Sequence, residues 1–176
     1  MACTLTTGRK LPCKTGFGGI KAVYFADYGS LGTVTYDADK TISAFGGSPA
    51  WFKFDVKGNS SLEVAINSSR ENGTTFYAQT LNLTLTFLDN ETKEELQLLA
   101  VSNPHLVVED YMGNQLLCGV DNGVEVTGGT IVTGAAAGDL SGFTLTFEGQ
   151  EDRAPFFVDA GVISASATQI SPPDSL

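Results

Sequence analysis

A single histidine, His105, limits the acid–base and nucleophilic chemistry open to this chain, because a Ser-His-Asp or Cys-His site would have to use it. It stands at the start of an apolar, strand-like stretch, where a ring satisfied by structural hydrogen bonds is the ordinary outcome. Gly138-Asp139-Leu140-Ser141-Gly142 has the look of a nucleophile elbow. Its serine, however, is one residue out of the G-x-S-x-G spacing, and no strand–turn–helix context surrounds it. The paired carboxylates Asp37/Asp39 and Asp89/Glu91 could hold a hard cation, but neither follows the EF-hand spacing and both read as solvated turn residues. Glu109-Asp110 and Glu148/Glu151/Asp152 would make a glycosidase pair only if folding set two of them at the required separation. Gly16-Phe17-Gly18-Gly19 leads into a strand, not a helix, and no Gly-Lys-Ser/Thr follows it, so it is not a phosphate cradle. Three thiols (Cys3, Cys13, Cys118) and one distant histidine are too few and too scattered for a metal site. A Cys3–Cys13 bridge could tie down the N-terminus, although unpaired thiols in a reducing compartment are the plainer expectation. The expectation is a protein without catalytic residues, cofactor or metal.

The elements available to position any site are strands. Residues 20–28, 33–36, 41–45, 51–56 and 62–66 are β-rich and separated by Gly- and Asp-containing turns. The clearest signal is residues 76–88, where Leu81, Leu83, Leu85 and Phe87 alternate with Thr80, Asn82, Thr84 and Thr86, one face apolar and one polar. One helix is expected over residues 92–102, opened by a Thr92/Glu95 capping box and stopped by Asn103-Pro104. Beyond it, residues 105–110 and 115–118 form a hairpin. Residues 124–127 and 130–133 flank a Gly128-Gly129 turn, and residues 142–149 make a last alternating strand. The expected fold is mainly β: a β-sandwich or barrel of antiparallel strands with one flanking α-helix.

At 176 residues the chain suits a single domain able to bury roughly 70% of its unfolded surface. An N-terminal arm (1–19), a sandwich domain (20–160) and a Ser/Thr/Pro-rich C-terminal tail (161–176), too poor in apolar residues to order alone, are the expected divisions. With 10 Lys+Arg against 20 Asp+Glu, the net charge of −10 argues against holding nucleic acid or docking on an anionic membrane. No apolar run approaches the ~18–20 residues of a membrane helix, and residues 1–5 do not read as a signal peptide. Five Asn-x-Ser/Thr sequons, at Asn59, Asn67, Asn72, Asn82 and Asn90, would be glycan sites in a secreted chain, but Asn82 lies inside the strongest strand.

The order of these pieces carries a resemblance. A Gly18-Gly19-Ile20 entry leads to Val23-Tyr24-Phe25 and Tyr28-Gly29, and Arg70-Glu71-Asn72-Gly73-Thr74-Thr75-Phe76-Tyr77 runs into the long alternating strand. The short helix follows, then the hairpin through Gly113-Asn114 and the Val126-Thr127-Gly128-Gly129 phrase. Gly138-Asp139 and Gly142-Phe143-Thr144-Leu145-Thr146-Phe147 come last. Over residues 16–158 this resembles the structural virion proteins of tailed bacteriophages, most of all the major tail (tail tube) proteins. The resemblance implies six subunits to a ring and rings stacked into a hollow tube. Inner strands of neighbouring copies would join into a barrel around the bore, leaving no free edges. It further implies other tail or neck proteins as partners, viral DNA passing without specific binding, no membrane partner, and residence in the virion tail after assembly in the host cytoplasm. Thr80, Asn82, Thr84 and Thr86 are then the expected lumen face. Tyr28, Tyr36, Phe45 and Trp51, within or beside the 28–51 loop, are the expected inter-subunit residues, with the termini as further ring-to-ring contacts. Two alternatives stay open: another virion component, such as a capsid decoration or head–tail joining protein, and a carbohydrate-binding sandwich using Trp51 and Tyr111.

Overall fold

The computed structural model describes residue 5 and residues 7–163. Eleven strands and one helix follow in chain order: β1 (Ile20–Ala26), β2 (Val34–Tyr36), β3 (Ile42–Phe45), β4 (Phe52–Asp55), β5 (Ser61–Ser69), β6 (Thr74–Thr86), α1 (Asn90–Val101), β7 (His105–Asp110), β8 (Gln115–Cys118), β9 (Glu125–Val132), β10 (Gly142–Glu151) and β11 (Phe156–Val158). They form two sheets, one of seven strands in the order β2-β3-β11-β8-β7-β1-β4 and one of four in the order β5-β6-β10-β9. Every pairing is antiparallel except β11 with β3. The expected mainly-β sandwich with a single helix is the fold observed.

The two sheets bury different amounts of surface, and their sequences differ accordingly. Between them lies one core, in which Val23 and Phe25 of β1, Leu106 and Val108 of β7, Leu81 and Leu83 of β6, and Phe143 and Phe147 of β10 meet. Phe25 sits at its centre, with ring centroids 5.0 Å from Phe147 and 5.4 Å from Phe54. The seven-stranded sheet has a second core on its other face, where Ala22, Tyr24 and Ala26 of β1 pack with Leu31, Ile42, Trp51, Leu117, Val158 and Ile163. Burial on both faces explains why Ile20–Ala26 is an unbroken apolar run apart from Lys21, which sits at a β-bulge. The four-stranded sheet has only one covered face, hence the clean Leu/Thr alternation of β6.

Several expectations are corrected by local geometry. The helix begins two residues early, because Asp89, not Thr92, is its N-cap: the Asp89 carboxylate accepts the Thr92 N–H at 2.7 Å. Phe87 does not continue the Leu81/Leu83/Leu85 face. It lies beyond the end of β6 with φ 68°, 57% exposed, turning the chain toward the cap. Gly128-Gly129 is not a turn, since β9 runs straight through it, and a side chain at Gly129 would crowd the Thr144 carbonyl across the strand. Val162 and Ile163, assigned to the tail, pack in the second core. The rest of that tail and the Cys3 half of the Cys3–Cys13 pairing lie outside the described residues; Cys13 is an exposed free thiol. No helix among the described residues is long and apolar enough to cross a membrane.

Phe147 is fully buried and touches both sheets. Phe147→Ala should therefore cost about 3–5 kcal/mol in chemical denaturation, whereas Phe87→Ala, a comparable deletion at an exposed ring, should cost under about 1 kcal/mol.

Candidate functional site

The uncovered face of the four-stranded sheet presents a continuous polar surface. Register sets Ser61, Asn82, Thr146 and Gly128 in one row, and Thr84, Thr144 and Thr130 in another. A third row runs Glu63, Thr80, Glu148, Glu125. Hydroxyls bridge the strands: Thr146 Oγ1 donates to Asn82 Oδ1 at 3.1 Å, Thr130 and Thr144 share a hydrogen bond, and Thr84 Oγ1 donates to the Asn59 carbonyl at 2.9 Å. The four expected lumen residues thus share one face, Asn82 and Thr86 exposed, Thr80 and Thr84 half-buried. The strands β5, β6, β9 and β10 contain no Lys or Arg at all. Their exposed carboxylates, Glu63, Glu125 and Glu148, share one row, although like charges placed directly opposite across strands are unfavourable. Sequence reading identified the Thr/Asn stripe of β6. The carboxylate row depends on register between four strands, and only the sum of charges was legible beforehand.

The four aromatic residues expected between subunits do not form one surface. Tyr28 is 58% exposed, lies stacked on His105 with centroids 5.3 Å apart, and donates its hydroxyl to the Asp121 carbonyl at 2.8 Å. Tyr36 is 39% exposed and leans on Phe156, while half-buried Phe45 packs on Trp51. Trp51 itself is only 2% exposed, since the second core takes it in beside Ile42 and Leu117. It therefore offers no ring face to a neighbour or a sugar. Tyr111 remains at the surface, packed edge-on against Phe17.

His105, the residue with the most chemical potential, is 2% exposed and bonded at both nitrogens. Nε2 accepts the Gly29 N–H at 2.9 Å, and Nδ1 lies 2.6 Å from the Gly119 carbonyl, which can only accept. The ring is therefore the neutral Nδ1–H tautomer. Burial holds it below its ordinary 6.5, against the opposing pull of the Gly119 carbonyl and the carboxylates of Glu151 and Asp121. The remaining candidates also have structural partners. Asp139 folds back to accept the N–H groups of Ala135 and Ala136 at 3.0 and 2.8 Å, which lowers its carboxyl. Burial alone would raise Glu109, but bonds from Lys21, Tyr24 and Gln115 outweigh it and hold it below the usual range. Glu151, Asp121 and Asp152 come within 4.8 Å of one another. One Glu151 oxygen, however, already accepts the N–H groups of Asp121 and Asn122, and Arg153 pairs with Asp121 and Asp152. Burial pushes the Cys118 thiol up to about 12, so it is not a nucleophile.

Comparison with known proteins returns no match to a family model, a curated protein or a solved structure.

The histidine makes a pH test direct, because it is the only one in the chain. Its folded-state value lies below its unfolded one, so its contribution to stability is complete above pH 6.5 and is lost as the pH falls below that. Protonation would put a second N–H against the Gly29 N–H. Wild-type denaturation midpoints should be level from pH 8 to 7 and fall below 6.5. In His105→Gln the fall should begin only in the carboxylate range, below about 4.5, where Glu109 of the unfolded chain takes up a proton before the native one does.

Proposed function

We propose that this chain is a virion structural protein that assembles into stacked rings forming a phage tail tube, through which DNA passes without being held. The observation that carries this reading is the four-stranded sheet, whose open face bears hydroxyls, amides and carboxylates but no cation, and whose two edges are unpaired among the described residues. A bore that let a genome slide would need such a lining, since cationic side chains bind phosphate.

The sheet's edges support the same reading. β5 and β9 are edge strands of nine and eight residues without proline or lysine, and their protection against edge pairing is limited to Glu63 on β5 and to Glu125 and one register shift on β9. Three antiparallel pairings separate them, so β5 and β9 run in opposite directions. A neighbour's β5 laid beside β9 would continue the antiparallel alternation, and repetition around an axis would close the sheet. Six copies of four strands would give 24 strands. At a spacing of about 4.8 Å, those span a circumference of about 115 Å and a backbone diameter of about 37 Å, wide enough for duplex DNA after side chains are added. Tyr28 and Tyr36, exposed at the margin of the second core, remain the aromatic candidates for contacts between copies.

Electron microscopy of the concentrated protein should show rings or tubes with a central bore; a strictly monomeric mass under those conditions would overturn the reading. Rings on the head surface of virions would instead mark a capsid component. The lining makes its own prediction. Wild-type assemblies should show no salt-dependent DNA retention, whereas Thr80→Lys/Asn82→Lys assemblies should retain DNA at about 50 mM salt and release it at about 200 mM.

A further inference from the structure

Of the eight asparagines in the chain, two, Asn72 and Asn122, are followed by glycine. In such a pair the side-chain amide is open to attack by the next backbone nitrogen, because glycine brings no Cβ to crowd the approach and the two groups belong to one molecule. The fold places the two pairs in opposite surroundings. Asn72-Gly73 closes the β5–β6 hairpin, in the turn between Ser69 and Thr74. β10 accompanies β6 only as far as Tyr77. The pairs Asn67–Phe76, Ser68–Thr75 and Ser69–Thr74 therefore form a two-stranded ribbon with no third strand among the described residues. Every residue from Arg70 to Phe76 is exposed.

Little in the turn holds Asn72. Its side-chain amide has no hydrogen-bond partner among the described residues, and its N–H meets only Ser69 Oγ, at 3.3 Å. Gly73 has φ 63°, and a Cβ placed there would meet nothing within 4 Å, so the space around the attacking nitrogen is open. Asn122-Gly123, by contrast, is clamped from both sides. The Asn122 side-chain amide donates to the Gln150 carbonyl at 2.9 Å, and the Asn122 N–H donates to Glu151 Oε1 at 2.9 Å. Gly123 is buried against the Asn103 carbonyl, and the next N–H, that of Val124, donates to the Pro104 carbonyl at 3.0 Å. Turning the Asn122 side chain onto the Gly123 nitrogen would break the bond to Gln150 and shift backbone that the other contacts hold.

We propose that Asn72 is a self-modification site, converted through a succinimide to aspartate and isoaspartate, while the fold protects Asn122. The Gly73 nitrogen gives its proton to hydroxide and bonds to Asn72 Cγ. The Cγ–Nδ2 bond then breaks, and the departing nitrogen takes a proton from water and leaves as ammonia, which restores the hydroxide. A second water adds to either carbonyl of the five-membered ring. Opening at the Cγ–N bond leaves aspartate; opening at the backbone C–N bond leaves isoaspartate, whose main chain runs through Cβ and Cγ. The sum is one water consumed and one ammonia released. Each event adds a negative charge to a hairpin tip where Arg70 and Glu71 otherwise balance. The ribbon packs on no third strand, so the converted chain keeps its core. This inference goes beyond the tube reading and needs no second copy.

Peptide mapping by mass spectrometry tests this on the folded full chain, incubated at about pH 8 and about 37 °C. Position 72 should gain the single dalton of an amide-to-acid exchange about tenfold faster than position 122, or more, and as two chromatographically distinct products. In concentrated urea, where both pairs are released, the two rates should come within about threefold of each other. Gly73→Ala should slow conversion at position 72 about fivefold, since its Cβ crowds the attacking nitrogen. The converted chain should keep the denaturation midpoint of the unconverted one. Equal rates at the two positions in the folded chain would overturn the proposal. A tenfold gap that persists in urea would overturn the protective role of the fold. Aspartate without isoaspartate, or a rate indifferent to Gly73→Ala, would overturn the succinimide route.

Discussion

The fold depends on how the chain crosses from one sheet to the other between β8 and β9. There the backbone of Gly119–Asn122 leaves the ladder of the seven-stranded sheet before joining that of the four-stranded one, and a buried peptide without a partner is costly. The three buried polar residues of the described chain, Gln79, His105 and Glu151, all serve this segment. Gln79 accepts the Gly119 N–H at 2.9 Å, His105 takes the Gly119 carbonyl, and Glu151 accepts the N–H groups of Asp121 and Asn122. Tyr28 closes the set from outside through the Asp121 carbonyl. The glycine at 123 is needed here too: φ is 73°, and a Cβ would lie 2.5 Å from the Asn103 carbonyl oxygen.

These partners come from β6, β7 and β10, so the crossover ties strands of both sheets together by polar contacts above the apolar core. His105 adds the segment after β1 through Gly29, which extends the tie to the chain covering the second core. A ring bonded on both sides and stacked under Tyr28 is committed to architecture. Its solitude in the sequence made it the leading chemical candidate, and its geometry explains why that potential is spent on holding two loops.

What was legible in the sequence follows from which faces are wet. β6 declares itself because its Leu residues face a core and its Thr and Asn residues face out, so period two survives in the letters. Gly128-Gly129 and Trp51 misled for a common reason: their roles are set by neighbours distant in sequence. Gly129 is small because Thr144 and Leu145 cross close to it, and Trp51 is buried by Ile42, Leu117 and Ile163 arriving from three other segments. Asp89 was passed over as a cap because Thr92 and Glu95 match a capping box that the helix does not use. Of the candidate site, the stripe Thr80, Asn82, Thr84, Thr86 could be read directly. The row Glu63, Glu148, Glu125 required a register that no single strand encodes.

Charge placement links the sheet to the proposed assembly. A net charge of −10 describes the whole chain, yet its parts differ in kind: an arm of +3, a body of −13, and within the body four strands with no cation. Uniform acidity would make copies repel one another, since self-repulsion grows with net charge. Segregation changes that balance, because cations gathered outside β5, β6, β9 and β10 leave the sheet face those strands form unneutralised. The same chain can then carry cations and still present to phosphate a face that disfavours contact.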